Sequence, residues 1–432
     1  MLEPTAITTV AEMIDDSSFY SEAHRKIFRA ALVLYNKNQP IDILTVSNEL
    51  QMRKELDAVG GNYYLTELVT RIPSAANLEH YCKIVLDKAL LRKLISISSD
   101  VQQECYESTD DVSELIDRAE QRIFSLAEKK ARKDFSSIKL IAQETIARIE
   151  SYHERAGGIT GIPTGFHDLD NLLSGWQRSE LIIIAGRPSM GKTAFALNIA
   201  RNAALDHKVA VGIFSLEMAS YQLVMRLLCS EAKVDSHKVR TGALPEQEWP
   251  KLSTSVGHLA EADIYIDDTP GMNILELRSK ARRLKYEKNV GLIIVDYLQL
   301  LRGIGRIESR QIEISMISQA LKNLAKELDI PVVALSQLSR AVESRGGERK
   351  PLLSDLRESG AIEQDADVVI FIYRPSVYAG FDPAQENIAE AIVAKQRNGP
   401  TDSVELIFIK EYVLFANKAH RPEPKPVSGV PY

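Results

Sequence analysis

The pattern of apolar and polar positions changes once along the chain, near Gly161. Before that point apolar residues recur at helical spacing. His24, Ile27, Phe28, Ala31 and Tyr35 share one face of a segment that Ser21 is placed to cap and that runs to about Asn36. Shorter helices are predicted over 44–50 and 63–71, the second after the Gly60-Gly61 pair. Pro73 precedes a long pattern over 77–107, with Tyr81, Ile84, Val85, the stem of Lys88, Leu91, Leu94 and Ile95 as its packed face. A last helix is predicted over 112–127. Residues 128–137 are charged and poorly periodic, as a linker would be. An isolated amphipathic helix is then expected over 138–152, with Ile138, Ile141, Ala142, Ile149 and Tyr152 on one face and the Gly157-Gly158 joint behind it. Such a helix needs a surface, and periodicity leaves open whether its own domain or a neighbouring subunit supplies it.

After Gly161 the pattern becomes short apolar runs, at 181–185, 209–215, 264–267, 292–296, 332–336, 368–372, 391–394 and 404–409, several of them separated by helical stretches. This alternation predicts a mostly parallel sheet covered by helices, with antiparallel strands closing its C-terminal edge. The fold class is therefore α followed by α/β. Ligands in such a sheet bind at the carboxyl ends of the strands, so the residues just past each strand carry the functional question.

Composition narrows the picture little. A chain of 432 residues has room for two or three domains with real cores. A net charge of −6 argues against a broadly basic nucleic-acid coat, though it permits a local basic channel. Cys82, Cys105 and Cys229 are scattered, with no Cys-x-x-Cys pair, which disfavours a zinc ribbon and favours a reducing compartment. His24 and His80 have no carboxylate or cysteine at ligand spacing and read as packed or surface residues. Neither a membrane span nor a secretion signal is expected.

The chemistry begins after the first α/β strand. Residues 186–193, Gly-Arg-Pro-Ser-Met-Gly-Lys-Thr, match the phosphate-binding P-loop and lie between an apolar run and a helical stretch, the context the motif requires. Gly186 and Gly191 permit the turn, and the loop's N–H groups, Ser189 included, face phosphate oxygens. Lys192 is placed for the β/γ-phosphates and Thr193 for Mg²⁺. Glu217 follows the second strand, where a carboxylate either orients an attacking water or simply favours a helix start. Asp296 closes an apolar strand in Leu-Ile-Ile-Val-Asp, as a metal-holding acid downstream of a P-loop does. Gln337 ends a later strand, where an amide can sense a γ-phosphate. Arg302, Arg306 and Arg310 form a basic loop, and Arg340, Arg345, Arg349 and Lys350 a second; with Asp-Leu-Arg-Glu-Ser-Gly at 355–360 they suggest focused contacts to a polyanion. Lys395 and Arg397 alternate and so project to one side, either to reach a neighbour's γ-phosphate or simply as a surface pair on an edge strand.

Taken together, these stretches resemble the DnaB-type replicative DNA helicases of bacteria. The matching residues are Gly165-Phe166 through Asp168-Leu169-Asp170 with Gly175, the P-loop, Ser215-Leu216-Glu217-Met218, 295–300, 335–340, 355–360 through 363–367, and 395–399, with Phe19-Tyr20-Ser21, His24 and 73–77 in the helical part. The resemblance spans nearly the whole chain. It implies a helical collar and primase-interaction domain over 1–128 whose usual first helix is missing, and a linker over 129–160 whose helix docks on the next subunit. A RecA-like P-loop ATPase domain would cover 161–432, with a disordered tail from about 422. It further implies a homohexameric ring that uses ATP and Mg²⁺ to move 5′→3′ on single-stranded DNA and unwind forked DNA, assisted by a loader, in the bacterial cytoplasm at nucleoid forks. By motif, Lys192, Glu217, Gln337, Lys395 and Arg397 are catalytic. Gly186, Ser189, Gly191, Lys192, Thr193 and Arg226 bind nucleotide, Thr193 and Asp296 hold metal, and Arg357, Glu358 and Gly360 contact DNA. Two rivals remain: a RecA-like recombination or repair ATPase, and a scaffold that uses ATP only to assemble.

Overall fold

The computed structural model describes residues 6–71, 77–107, 158–303, 309–339, 350–378 and 385–419, with scattered helical positions between 112 and 150. The side chains of 357–359 lie outside that description, as do the basic residues of 340–349 and the tail from 422. The chain divides by its contacts into Met1–Ile141 and Ala142–Tyr432.

The first unit is helical: α1 Ala6–Met13, α2 Glu22–Asn36, α3 Ile43–Met52, α4 Gly61–Thr70 and α5 Leu78–Glu107. Helix α1 was not legible in the apolar pattern. Ser21 does stand at the N-terminal boundary of α2, but its side chain makes no capping bond. Asp42 caps α3 instead, accepting from the N–H groups of Leu44 at 2.9 Å and Thr45 at 2.8 Å, which fixes a start the sequence reading placed one residue late. The core is Ile27, Ala30, Ala31 and Leu34 of α2 against Val46, Leu50, Val59 and Leu65. His24 is packed, its Nε2 2.8 Å from the Tyr64 hydroxyl.

The predicted packed face of α5 needs correction. Tyr81, Ile84, Leu91, Leu94 and Ile95 are exposed in this chain, while Cys82 and Ala89 are buried. Of the expected face, Val85 does pack inward, with Leu78, Cys82 and Leu86, beside Ile14 and Phe28. In the stretch expected as the docking helix, the described positions are helical and Ile138, Ile146 and Ile149 are exposed. No described helix is long and apolar enough to cross a membrane.

The second unit holds a nine-stranded sheet in the order β3-β2-β4-β5-β1-β6-β7-β8-β9. Its strands are β1 Leu181–Gly186, β2 Val211–Ser215, β3 Ile264–Asp267, β4 Leu292–Asp296, β5 Val332–Gln337, β6 Val368–Tyr373, β7 Ile388–Gln396, β8 Ser403–Ile409 and β9 Leu414–Asn417. β3 through β6 in spatial order pair in parallel, and β7 to β9 add an antiparallel edge. Both expectations hold; β9 was not among the runs the sequence predicted. The helices are α6 His167–Leu173, α7 Lys192–Arg201, α8 Ser220–Ala232, α9 Ser236–Thr241, α10 Trp249–Ala260, α11 Ile274–Lys288, α12 Arg310–Leu328 and α13 Gly360–Asp365.

β1 is buried along its whole length because helices cover both faces. Ile182 and Ile184 join the core with Phe195 of α7, while Leu181 and Ile183 join the core with Leu321 and Leu324 of α12. Phe195 stacks on Phe166 at 5.0 Å between centroids and meets Phe415 edge-on at 5.3 Å. This aromatic group seats α7, and hence the loop before it, against the antiparallel edge. The Gly165-to-Asp170 motif proves structural: buried Asp170 accepts from Thr164 N at 2.7 Å and Gly165 N at 3.1 Å.

Candidate nucleotide site

β1 runs into the loop at Gly186, and α7 begins at Lys192, so the helix N-terminus faces the loop. Gly191 has φ 94°, and a Cβ there would lie 3.1 Å from the Phe415 ring. Ser189 also turns left-handed, with φ 68°. The loop opens onto a cleft of about 770 Å³ lined by Lys192, Thr193, Glu217, Arg226 and Gln337 among others.

Lys192 and Thr193 enter from the start of α7, Arg226 from α8, and Glu217, Asp296 and Gln337 from the ends of β2, β4 and β5. The Lys192 ammonium donates to the Gly186 carbonyl at 2.8 Å and the Arg187 carbonyl at 3.4 Å, bonds that phosphate oxygens can replace. Burial pushes its pKa below the usual lysine value, while Asp296 and Glu217 pull it back up. The Thr193 hydroxyl donates to Asp296 Oδ2 at 2.8 Å. Asp296 is 3% exposed, and burial with the Glu217 charge raises its pKa to about 6 against the Thr193 bond and the Lys192 and Arg226 charges. Arg226 reaches the same place from α8; burial lowers its pKa, and Asp296 and Glu217 oppose that. Glu217 stands exposed where β2 turns towards α8. The hydroxyl and carboxylate oxygens of Thr193 and Asp296 are the hard donors Mg²⁺ prefers, and Asp296 is a buried acid whose charge a cation would offset.

Gln337 ends β5 and lines the cleft. Its backbone N–H donates to Gln299 Oε1 at 3.3 Å, and Gln299 Nε2 donates to Ser336 Oγ at 2.8 Å. Gln299 therefore braces the two strand ends that carry Asp296 and Gln337. Sequence reasoning gave it no role, since only the pairing of β4 with β5 brings it there. Arg310 also differs from expectation. It begins α12 and bonds Glu313 and the Gln299 carbonyl, so it is a brace here and not a loose loop cation.

Lys395 and Arg397 lie elsewhere. Ile182 pairs with Val368, and Val368 with Gln396, which puts both cations at the amino end of β1. The P-loop is at the carboxyl end, roughly 17 Å away at about 3.3 Å per residue. They do share a side, as alternation implied. Lys395 Nζ donates to the Glu363 carbonyl and, at 2.8 Å, to that of Ala366, while Arg397 Nη2 donates to Gln364 O at 2.6 Å. Buried Asp367 lies 3.5 Å from Arg397 Nε and is itself held by Lys322 at 2.5 Å and Leu181 N at 2.8 Å. Arg357 and Glu358 belong to a 3-10 turn, Leu353–Ser359, that leads through Gly360 into α13; the contacts of these two side chains fall outside the described residues.

The cleft's outer wall was not foreseen. Ser236, His237 and Arg240 of α9 face Phe408 and Val413 of the β8–β9 edge. Ser236 N donates to Glu411 O at 2.8 Å and holds the two walls together.

A phosphate loop opening a helix, an acid on the parallel strand one removed from the loop's own, with β5 between them, and an antiparallel edge on the same sheet define a RecA-like P-loop ATPase. The DnaB-like helicase C terminal domain matches residues 161–417, and the DnaB-like helicase N terminal domain matches 1–87. The chain is 48% identical to the replicative DNA helicase DnaC of Bacillus subtilis (strain 168), and 49% identical to the replicative DNA helicase DnaB of Geobacillus stearothermophilus. Each comparison covers 97% of this chain and 92% of the relative. A solved DnaB-like replicative helicase, described with its interactions with primase, superimposes with TM-score 0.76 at 35% identity, over 96% of this chain and 97% of that one. The chain belongs to the DnaB family of replicative DNA helicases and is an ATP-dependent enzyme.

Proposed function

We propose that six copies of this chain form a ring that moves 5′→3′ on single-stranded DNA and parts the duplex at a fork. Lys192 and the loop N–H groups bind the triphosphate, and Glu217 orients the attacking water. Gln337 reports the γ-phosphate to the segment after β5. Thr193 and Asp296 hold Mg²⁺, which when bound offsets charge on the phosphate oxygens. Lys395 and Arg397 complete a neighbour's site, and Arg357, Glu358 and Gly360 contact the DNA backbone. The helical unit forms the collar on which primase docks, the helix over 138–152 seats on the next subunit, and a loader contacts the ring elsewhere. The reaction belongs in the bacterial cytoplasm, at the fork.

The observation that carries this reading is the separation of the two groups of catalytic side chains. Lys192, Thr193, Asp296 and Glu217 meet in one cleft, whereas Lys395 and Arg397 sit at the other end of the same sheet. They serve a nucleotide only if it belongs to another subunit.

The test is ATP-dependent strand displacement on forked duplexes bearing a loading tail of either polarity. Displacement that requires the 5′ tail is expected. Strand exchange without unwinding would favour a recombination ATPase, and ATP-dependent assembly without turnover would favour a scaffold.

A further inference from the structure

We propose that Arg374 is a positioning residue of the ATP site, holding the phosphate loop in its binding shape by tying it to the cleft wall. The proposal rests on the reading of 186–193 as the nucleotide loop. Arg374 directly follows β6, the strand beside β1, so its side chain starts next to the loop. Its Nη1 donates to the Ser189 carbonyl at 3.2 Å. Its guanidinium carbon lies 4.1 Å from the centroid of Phe408, one of the rings lining the cleft. Phe408 packs on Phe415 at 4.7 Å, and Phe415 is the ring against which Gly191 is fitted. One side chain thus joins the middle of the loop to the aromatic group behind it.

The loop needs such a tie. Ser189 holds a left-handed backbone conformation that a residue with a Cβ adopts only when its surroundings enforce it. A hydrogen bond to its carbonyl fixes the peptide plane that follows, and with it the approach to Gly191 and Lys192. A guanidinium suits the task because its flat face covers a ring while its edge donates. Among the described residues no carboxylate pairs with Arg374, and its buried Nε has no partner. Burial alone lowers its pKa. A cation left without an acid beside a phosphate loop adds positive potential where the polyphosphate binds.

The measurement is steady-state ATP hydrolysis by the full chain together with titration of a fluorescent ADP analogue, for Arg374→Ala, Arg374→Met and Arg374→Lys. Met keeps an unbranched apolar stem beside the ring but cannot donate; Lys keeps the charge and a donating ammonium without the planar fork. KM for ATP and the ADP dissociation constant are each expected to rise about tenfold in the Ala and Met variants, the scale of one charge-assisted bond. Lys should recover part of the loss. Phe408→Leu should raise KM in the same direction. Unchanged KM and ADP affinity in the Met variant, with kcat falling only as the folded fraction falls, would overturn the proposal and leave Arg374 a packing residue. If Arg374→Ala does not fold, the Met and Lys pair still decides. Lys192→Ala separates the two claims: if it binds and hydrolyses ATP normally, the loop assignment itself is wrong, whatever Arg374 does.

Discussion

The Thr193 hydroxyl, at the start of α7, and the Asp296 carboxylate, at the end of β4, are joined over 2.8 Å although 103 residues apart in sequence. Both oxygens are the donors proposed above for one ion, so their substitutions should not add. Thr193→Val and Asp296→Asn are each expected to lower ATP turnover by at least ~100-fold, and the double variant by little more than the worse single one. Turnover measured across the four proteins at saturating Mg²⁺ checks this. Full additivity would mean that the two act separately.

Arg397→Ala should assemble and bind nucleotide but hydrolyse it about 10³-fold more slowly, the lower end of what a charge supplied in trans contributes. Glu217→Gln should be inactive for a defect on the opposite side of the interface. Mixing the two lets some interfaces combine an intact Glu217 with an intact Arg397, so partial recovery of turnover is expected at intermediate ratios. Mixed rings without recovery at any ratio would count against the trans role.

Arg357→Ala should weaken binding to single-stranded DNA and reduce the slope of log affinity against log salt by about one. Basal hydrolysis without DNA should persist. Fluorescence anisotropy at several salt concentrations gives both numbers, and an unchanged slope would move the phosphate contact elsewhere.

Asp170 makes a purely structural prediction. Its carboxylate accepts two backbone N–H groups within the fold, and Asp170→Ala would orphan both. The melting temperature should fall by roughly 3–6 °C, the effect of about 1–2 kcal/mol in a domain of this size. Asp170→Asn, which retains one acceptor oxygen, should lose less.

The nucleotide loop could be read from the chain because its chemistry is contiguous: a strand, a glycine-bounded turn, a lysine and a helix start. Asp296 and Gln337 were legible for a related reason, since strand ends in a parallel sheet converge on one edge. The cleft's outer wall was hidden, because Arg240 and Phe408 are brought together only by the antiparallel edge folding over α7. Arg374 looked like any residue after a strand; its meaning depends on β6 lying beside β1. The α5 error has a different origin. That helix carries apolar residues on more than one side, so periodicity alone does not tell the inward Leu78, Cys82, Val85 and Leu86 from the exposed Tyr81, Ile84, Leu91 and Ile95.

β1 carries a phosphate loop at one pole, and Lys395 and Arg397 stand at the other. If both ends serve catalysis, a solitary subunit has half of two reaction centres and the whole of none. Its smallest working unit would be a pair, and in any open chain of copies the first and last would each leave one pole idle. Only closure on itself puts every pole to use, so in this enzyme the count of active centres would report whether the assembly has ends.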